Sequence, residues 1–179
     1  MRRRKYGKAE DGVGIRELSP EERRARVFQR AVKLLAAKPR SVAELQERLL
    51  QGRFANKINV DEVISRLREY GYLDDERFAL SYASLKVKQR PVGRRRLQQD
   101  LSLKKVSRTV VEGVLDQVYA ETSEEELIDQ AIEKRIRLRG RPKTRVETKS
   151  LFDHLLRQGF PFELVSDKVR AISRAELDE

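Results

Sequence analysis

Arg94, Arg95 and Arg96 follow Pro91 and Gly93, at a point where a helix is expected to begin. Three cations there oppose the positive end of a helix dipole, a small cost that an anionic partner would offset. They belong to a longer basic run: from Lys86 to Arg108, nine Lys and Arg, including Arg90, Lys104 and Lys105, face Asp100 alone. A second run from Glu133 to Lys149 holds eight basic residues, Arg139 and Arg141 among them, against two acidic ones. The stretch Ser41–Leu85 is slightly acidic, with six basic and eight acidic residues. The chemistry these groups offer is charge pairing with a polyanion or an acidic protein groove. Covalent chemistry has no comparable nominee. There is no Cys, which removes disulfides and thiolate ligands, and one His, His154, which cannot build an imidazole zinc site. The nine glycines are dispersed and form no phosphate loop. Asp74, Asp75 and Glu76 are better read as first-turn capping carboxylates than as metal ligands. No cofactor is expected.

The elements that carry these groups are helical. The chain has 179 residues and a net charge of +11, with 39% charged and 39% apolar residues. Apolar residues recur at three- and four-residue spacing, as in Val27, Phe28, Ala31, Val32 and Leu35, and strict alternation is missing. Ser19-Pro20-Glu21-Glu22 marks a helix start, Pro39 a helix end, and Ser41 with Glu44, Asn59 with Glu62 and Ser123 with Glu126 have capping-box spacing. No apolar run approaches the roughly 18 residues of a membrane span, and the basic start Met1–Lys8 is not followed by the apolar stretch of a secretory signal. A cytoplasmic location is expected.

An internal repeat organises the helices. Leu97, Leu101, Val106, Val111, Leu115 and Val118 have the same spacing as Leu151, Leu155, Phe160, Val165, Val169 and Ile172. Leu45, Leu49, Phe54, Val60, Ile64 and Leu67 match with one extra residue after Phe54. Each series reads as helix, turn, helix, preceded by another amphipathic helix with paired apolar positions such as Phe78/Ala79 and Tyr82/Ala83. The expectation is an all-α chain of three tandem three-helix repeats at 19–71, 72–120 and 121–174, with a disordered basic arm at 1–18 and a frayed acidic tail at 175–179. Repeats of this size bury little alone and must stabilise one another. Val42–Leu67 also has the outline of a helix-turn-helix, but the region is acidic and helical residues, not a wing, follow it.

The joint Gly71-Tyr72-Leu73-Asp74-Asp75-Glu76-Arg77-Phe78-Ala79 resembles the signature of the RecX family, bacterial regulators of the RecA recombinase. Pro39-Arg40-Ser41 with Glu44-Leu45, Arg94-Arg95-Leu97 with Leu101, and Leu155-Leu156-Arg157-Gln158-Gly159-Phe160 resemble it too. The chain departs from the family pattern in Gly52–Asn59, where Gln51-Gly52-Arg53-Phe54 and an extra residue replace a short Gly-Phe turn, and at Lys105-Val106, where a Lys-Gly-Phe type of turn is usual. The resemblance, which runs from about Arg24 to Ile172, implies an elongated, curved rod of helices stacked at right angles, without catalytic activity. It also implies lodging in the groove of the RecA–single-stranded-DNA filament and lowering its ATPase, strand-exchange and co-protease activities, with possible direct DNA contact. The expected contacts are Arg90, Arg94, Arg95, Arg96, Lys104 and Lys105, with Arg139 and Arg141 as a second patch, on a monomer. The alternative is a basic helical DNA-binding module.

Overall fold

The computed structural model describes residues 18–175, so nearly all of the predicted arm and residues 176–179 of the predicted tail lie outside the described residues. Nine helices and no strands are found among the described residues: α1 (Pro20–Ala37), α2 (Val42–Leu50), α3 (Lys57–Glu69), α4 (Asp75–Gln89), α5 (Arg94–Leu103), α6 (Arg108–Glu121), α7 (Glu124–Arg139), α8 (Arg145–Arg157) and α9 (Phe162–Ala175). They pack mainly in consecutive threes, α1–α3, α4–α6 and α7–α9. The all-α expectation is met.

Local chemistry sets the boundaries. Ser19 and Glu22 form a full capping box at α1, with Pro20 in the first turn, and Thr144 and Glu147 do the same at α8. Ser41, Asp74, Ser107 and Ser123 each accept a first-turn N–H through the side chain. Helix α3 corrects the sequence reading. Its cap is Asn56, which exchanges reciprocal bonds with Asn59, so the helix starts before the predicted Asn59–Glu62 box. An asparagine pair supplies the two acceptors that a Ser/Glu pair usually provides.

The repeat series describes the core well in the last two units. Leu97, Leu101, Val106, Val111, Leu115 and Val118 are all buried, as are Leu151, Leu155, Phe160, Val165 and Val169. In the first unit Phe54 is only half-buried, its ring covered by the Arg26 guanidinium at 4.7 Å. The extra residue in that turn lifts it out of register. Of the paired positions, Val27, Ala31, Ala79 and Ala83 enter the core, while Phe28, Phe78 and Tyr82 sit at its margin. The α4–α9 residues share one continuous apolar core; α1–α3, with Leu73, has its own.

Candidate interaction surfaces

Two joints hold the three units together, and they share a design. At the second joint the Gly93 N–H donates to the Gln158 carbonyl (2.9 Å) and the Arg95 N–H to the Gly159 carbonyl (3.3 Å). The start of α5 is thus seated on the end of α8. The Arg94 N–H is taken by Glu124 Oε1 from the first turn of α7 (2.7 Å). At the first joint the Ser41 hydroxyl donates to the Lys104 carbonyl at the end of α5, and the Val42 N–H donates to Asp75 Oδ1 in the first turn of α4 (2.8 Å). In both places the start of one middle helix meets orphan carbonyls at the end of the next unit's middle helix, through backbone N–H groups at the second joint and the Ser41 hydroxyl at the first, with a carboxylate from that unit's first helix taking a further N–H alongside. The middle helices α8, α5 and α2 therefore run head to tail.

The second joint leaves no room. A Cβ on Gly93 would lie 2.4 Å from the backbone of Gly159 and Phe160, and one on Gly159 would lie 2.3 Å from the Arg96 nitrogen. Gly159 also has φ +91°, and the matching Lys105 is the non-glycine residue at positive φ (59°) among the described residues. The turn that usually carries glycine keeps its left-handed geometry here with a lysine in place.

This joint revises the argument made from the arginine triplet. Arg94 pairs with Asp116 (2.5 Å) and Arg96 with Asp100 (3.3 Å), while Glu124 sits at the start of α5. Fold economy accounts for much of the arrangement, because those acids neutralise the cations and the dipole together. Asp100 is buried and is paired with Lys86 as well (3.2 Å). Lys105 pairs with Glu47 (2.6 Å) and Lys104 lies 3.8 Å from Glu44, both across the first joint. Arg90 and Arg95 are exposed, with no ion-pair partner for either side chain among the described residues.

The second patch is different. Arg139 and Arg141 are exposed and, with the half-buried Arg135, line a surface hollow of about 440 Å³ between α7 and the start of α8. Arg135 reaches the Ser150 hydroxyl at 3.4 Å. The carboxylate in the hollow, Glu147, already accepts the Lys143 and Thr144 N–H groups, and those bonds hold it below the usual carboxylate range. Desolvation, then Arg139 and Arg157, lower the pKa of Arg135. Desolvation followed by Arg135, Arg157 and Arg139 lowers that of His154 on α8. Four cationic or titratable groups from two helices thus repel one another, an arrangement that an anion would relieve. Arg135, His154 and Arg157 were not singled out from sequence. Their i,i+4 and i,i+3 relations to Arg139 and to each other were readable; the packing of α7 against α8 that unites them was not.

Asp74 caps α4 by accepting the Arg77 N–H (2.9 Å), and Asp75 accepts the Val42 N–H at the first joint. No helix among the described residues is long and apolar enough to cross a membrane.

The family model described as RecX, second three-helix domain, matches residues 74–115, from the cap of α4 into α6. The chain is 37% identical over 110 residues to a protein of Treponema pallidum named Regulatory protein RecX, a match covering 62% of this chain and 66% of that one. It is 27% identical over 162 residues to the Bacillus subtilis protein of the same name, covering 90% of this chain and 61% of that one. The chain thus spans just under two thirds of the length of these relatives. The crystal structure of RecX from Lactobacillus salivarius superposes with a TM-score of 0.73 at 18% identity, over 86% of this chain and 98% of that one, and so shares the fold. With the signature at Gly71–Ala79 placed at the turn between α3 and α4, these likenesses have one reading: the chain belongs to the RecX family.

Proposed function

We propose that this protein regulates the RecA recombinase by binding the filament that RecA forms on single-stranded DNA and lowering its ATPase, strand-exchange and co-protease activities, without covalent chemistry of its own. Family membership supports RecA regulation. The observation that carries the binding mode is the cluster of Arg135, Arg139, Arg141 and Arg157, none of whose side chains has an ion-pair partner among the described residues, while Glu147 beside them is held by the Lys143 and Thr144 N–H groups. Arg90 and Arg95 extend the cationic surface onto the second repeat. In this reading, repeats at 19–71, 72–120 and 121–174 act as a monomeric cytoplasmic rod. Its head-to-tail middle helices hold the two patches at a fixed separation, so that one molecule can touch neighbouring protomers or the strand between them. Regulation then follows from unequal affinity for the active and inactive forms of the filament.

The test compares sedimentation with RecA-coated single strands against bare single strands and bare duplex at physiological salt. Preference for the coated strand is expected, and an R135E/R139E pair should weaken it by about tenfold or more while leaving helicity intact. Equal binding to bare duplex, falling by roughly 0.9 decade per decade of salt for each phosphate engaged, would favour a DNA-binding module instead.

A further inference from the structure

The last two units share a continuous core, yet the first and second enclose an open apolar cleft of about 1280 Å³ between α1 and α4. Its walls come from the outward members of the paired apolar positions, Phe28 and Val32 on α1 and Phe78 and Tyr82 on α4, with Leu85 one turn further along α4. Tyr72, from the signature turn, stands at its edge. Val32, Leu85 and Tyr72 are 45%, 57% and 67% exposed, a concentration of large apolar surface that soluble chains rarely leave without use.

The rim is basic. Lys38, Arg40 and Lys104 all converge on Glu44 Oε1, at 3.7, 3.3 and 3.8 Å, so three cations share one carboxylate. Arg77 adds a fourth, held by the Gly71 carbonyl (2.8 Å), and Asp74 is occupied in capping α4. The cleft therefore offers an apolar floor under a positive surplus.

We infer that this cleft docks an acidic amphipathic segment of a partner protein, with large apolar side chains seated against α1 and α4 and Asp or Glu facing Lys38, Arg77 and Lys104. Charge complementarity selects this occupant. A second copy of a chain carrying +11 would bring like charge to a positive rim. Nucleobases want open aromatic faces, whereas here Phe78 and Tyr82 stack on each other (6.2 Å), Tyr70 and Tyr72 meet edge-on (6.4 Å), and aliphatic Val32, Leu35 and Leu85 lie among them. The helix-in-groove mode, with anchors at i, i+3, i+4 and i+7, fits such a trough. This surface lies on the first joint, apart from the α7–α8 cluster, and does not depend on the RecA reading.

The probe is a fluorescein-labelled synthetic helix carrying Leu and Phe at those positions and Glu elsewhere, titrated with the full chain and read by anisotropy. Three comparison peptides are used: its Lys-for-Glu counterpart, a scrambled version, and residues 1–17 of this chain. The acidic amphipathic peptide should bind at least about tenfold more tightly than any of them, and L85D and V32D, both at exposed positions, should each lower that affinity about tenfold with unchanged circular dichroism. K38E/K104E should weaken the acidic peptide and strengthen the Lys counterpart. Four results would overturn the inference: no binding of the acidic peptide, undiminished binding by both apolar variants, tighter binding of residues 1–17, or displacement of the peptide by oligo(dT). A dimer seen in sedimentation and abolished by L85D would assign the cleft to a second copy and overturn it as well.

Discussion

Replacing Gly93 by alanine adds one methyl group at the most crowded point of the molecule. Gly93 has φ −79°, which alanine adopts freely, so the effect is one of space and not of backbone strain. The new carbon would stand 2.4 Å from three backbone atoms of Gly159 and Phe160, where ordinary contact begins at 3.4 Å. None of those atoms is the tip of a flexible side chain. Relief requires α5 and the end of α8 to part by about 1 Å, which stretches the Gly93–Gln158 and Arg95–Gly159 bonds beyond useful range. Overpacking of this kind costs about 1–3 kcal/mol and each lost bond about 1 kcal/mol, giving a destabilisation of ~3–5 kcal/mol. Against a total stability of about 5–15 kcal/mol that is a large fraction. With a urea dependence near 2 kcal/mol/M, the midpoint followed by far-ultraviolet circular dichroism should fall by ~1.5–2.5 M. Gly113, within α6 with nothing near its missing Cβ, is the control: G113A should raise stability by about 0.5–1 kcal/mol. A G93A midpoint equal to that of the parent protein would show that the joint is loose and that the head-to-tail seating of α5 on α8 is not structural.

The fully buried Ser41 hydroxyl both accepts the Glu44 N–H (3.1 Å) and donates to the Lys104 carbonyl; S41A should cost about 2 kcal/mol in urea unfolding, and a loss below about 0.5 kcal/mol would deny the first joint its role. Lys105 occupies a left-handed position at φ 59°, and its ion pair with Glu47 is half exposed, so K105G should raise the midpoint by up to ~1 kcal/mol equivalent, whereas a lowered midpoint would mean the pair outweighs the strain. His154 has its pKa lowered by desolvation and by Arg135, Arg157 and Arg139, so the unfolded chain binds its proton first as pH falls. Stability should therefore decline as pH drops through and below about 6.5, the ordinary His value, and H154Q should flatten that slope; an unchanged slope would place His154 outside the cluster.

Helix type and the caps at Ser19, Ser41, Asp74 and Ser123 were legible because each rests on residues within one or two turns of each other, and the threefold repeat because apolar spacing alone carries it along the chain. Asn56 escaped because an Asn/Asn pair imitates the Ser/Glu box. What could not be read was whatever depends on how one unit meets the next. Asp75 and Glu124 looked like ordinary first-turn acids, yet both reach across a joint to Val42 and Arg94. Arg94 and Arg96 looked like free cations, yet within their own unit Asp116 on α6 pairs with the first and the i,i+4 Asp100 on α5 with the second, and only that second pair lay in the spacing. Burial also separates two kinds of apolar position that periodicity makes equivalent: Ala79 and Ala83 face their own core, and Phe78 and Tyr82 face the cleft. Charge counting found the second basic run, but only the packing of α7 on α8 brings Arg135, Arg139, His154 and Arg157 into one cluster.

Co-sedimentation of the purified protein with RecA assembled on single-stranded DNA, alongside its R135E/R139E counterpart, bears most directly on the claim that a folded cationic scaffold acts by gripping a filament. The account predicts that the parent protein pellets with the coated strand and slows its ATP turnover, and that the reversed pair stays in the supernatant with its helices intact. Equal pelleting of both, or retention of the parent in the supernatant, would contradict it.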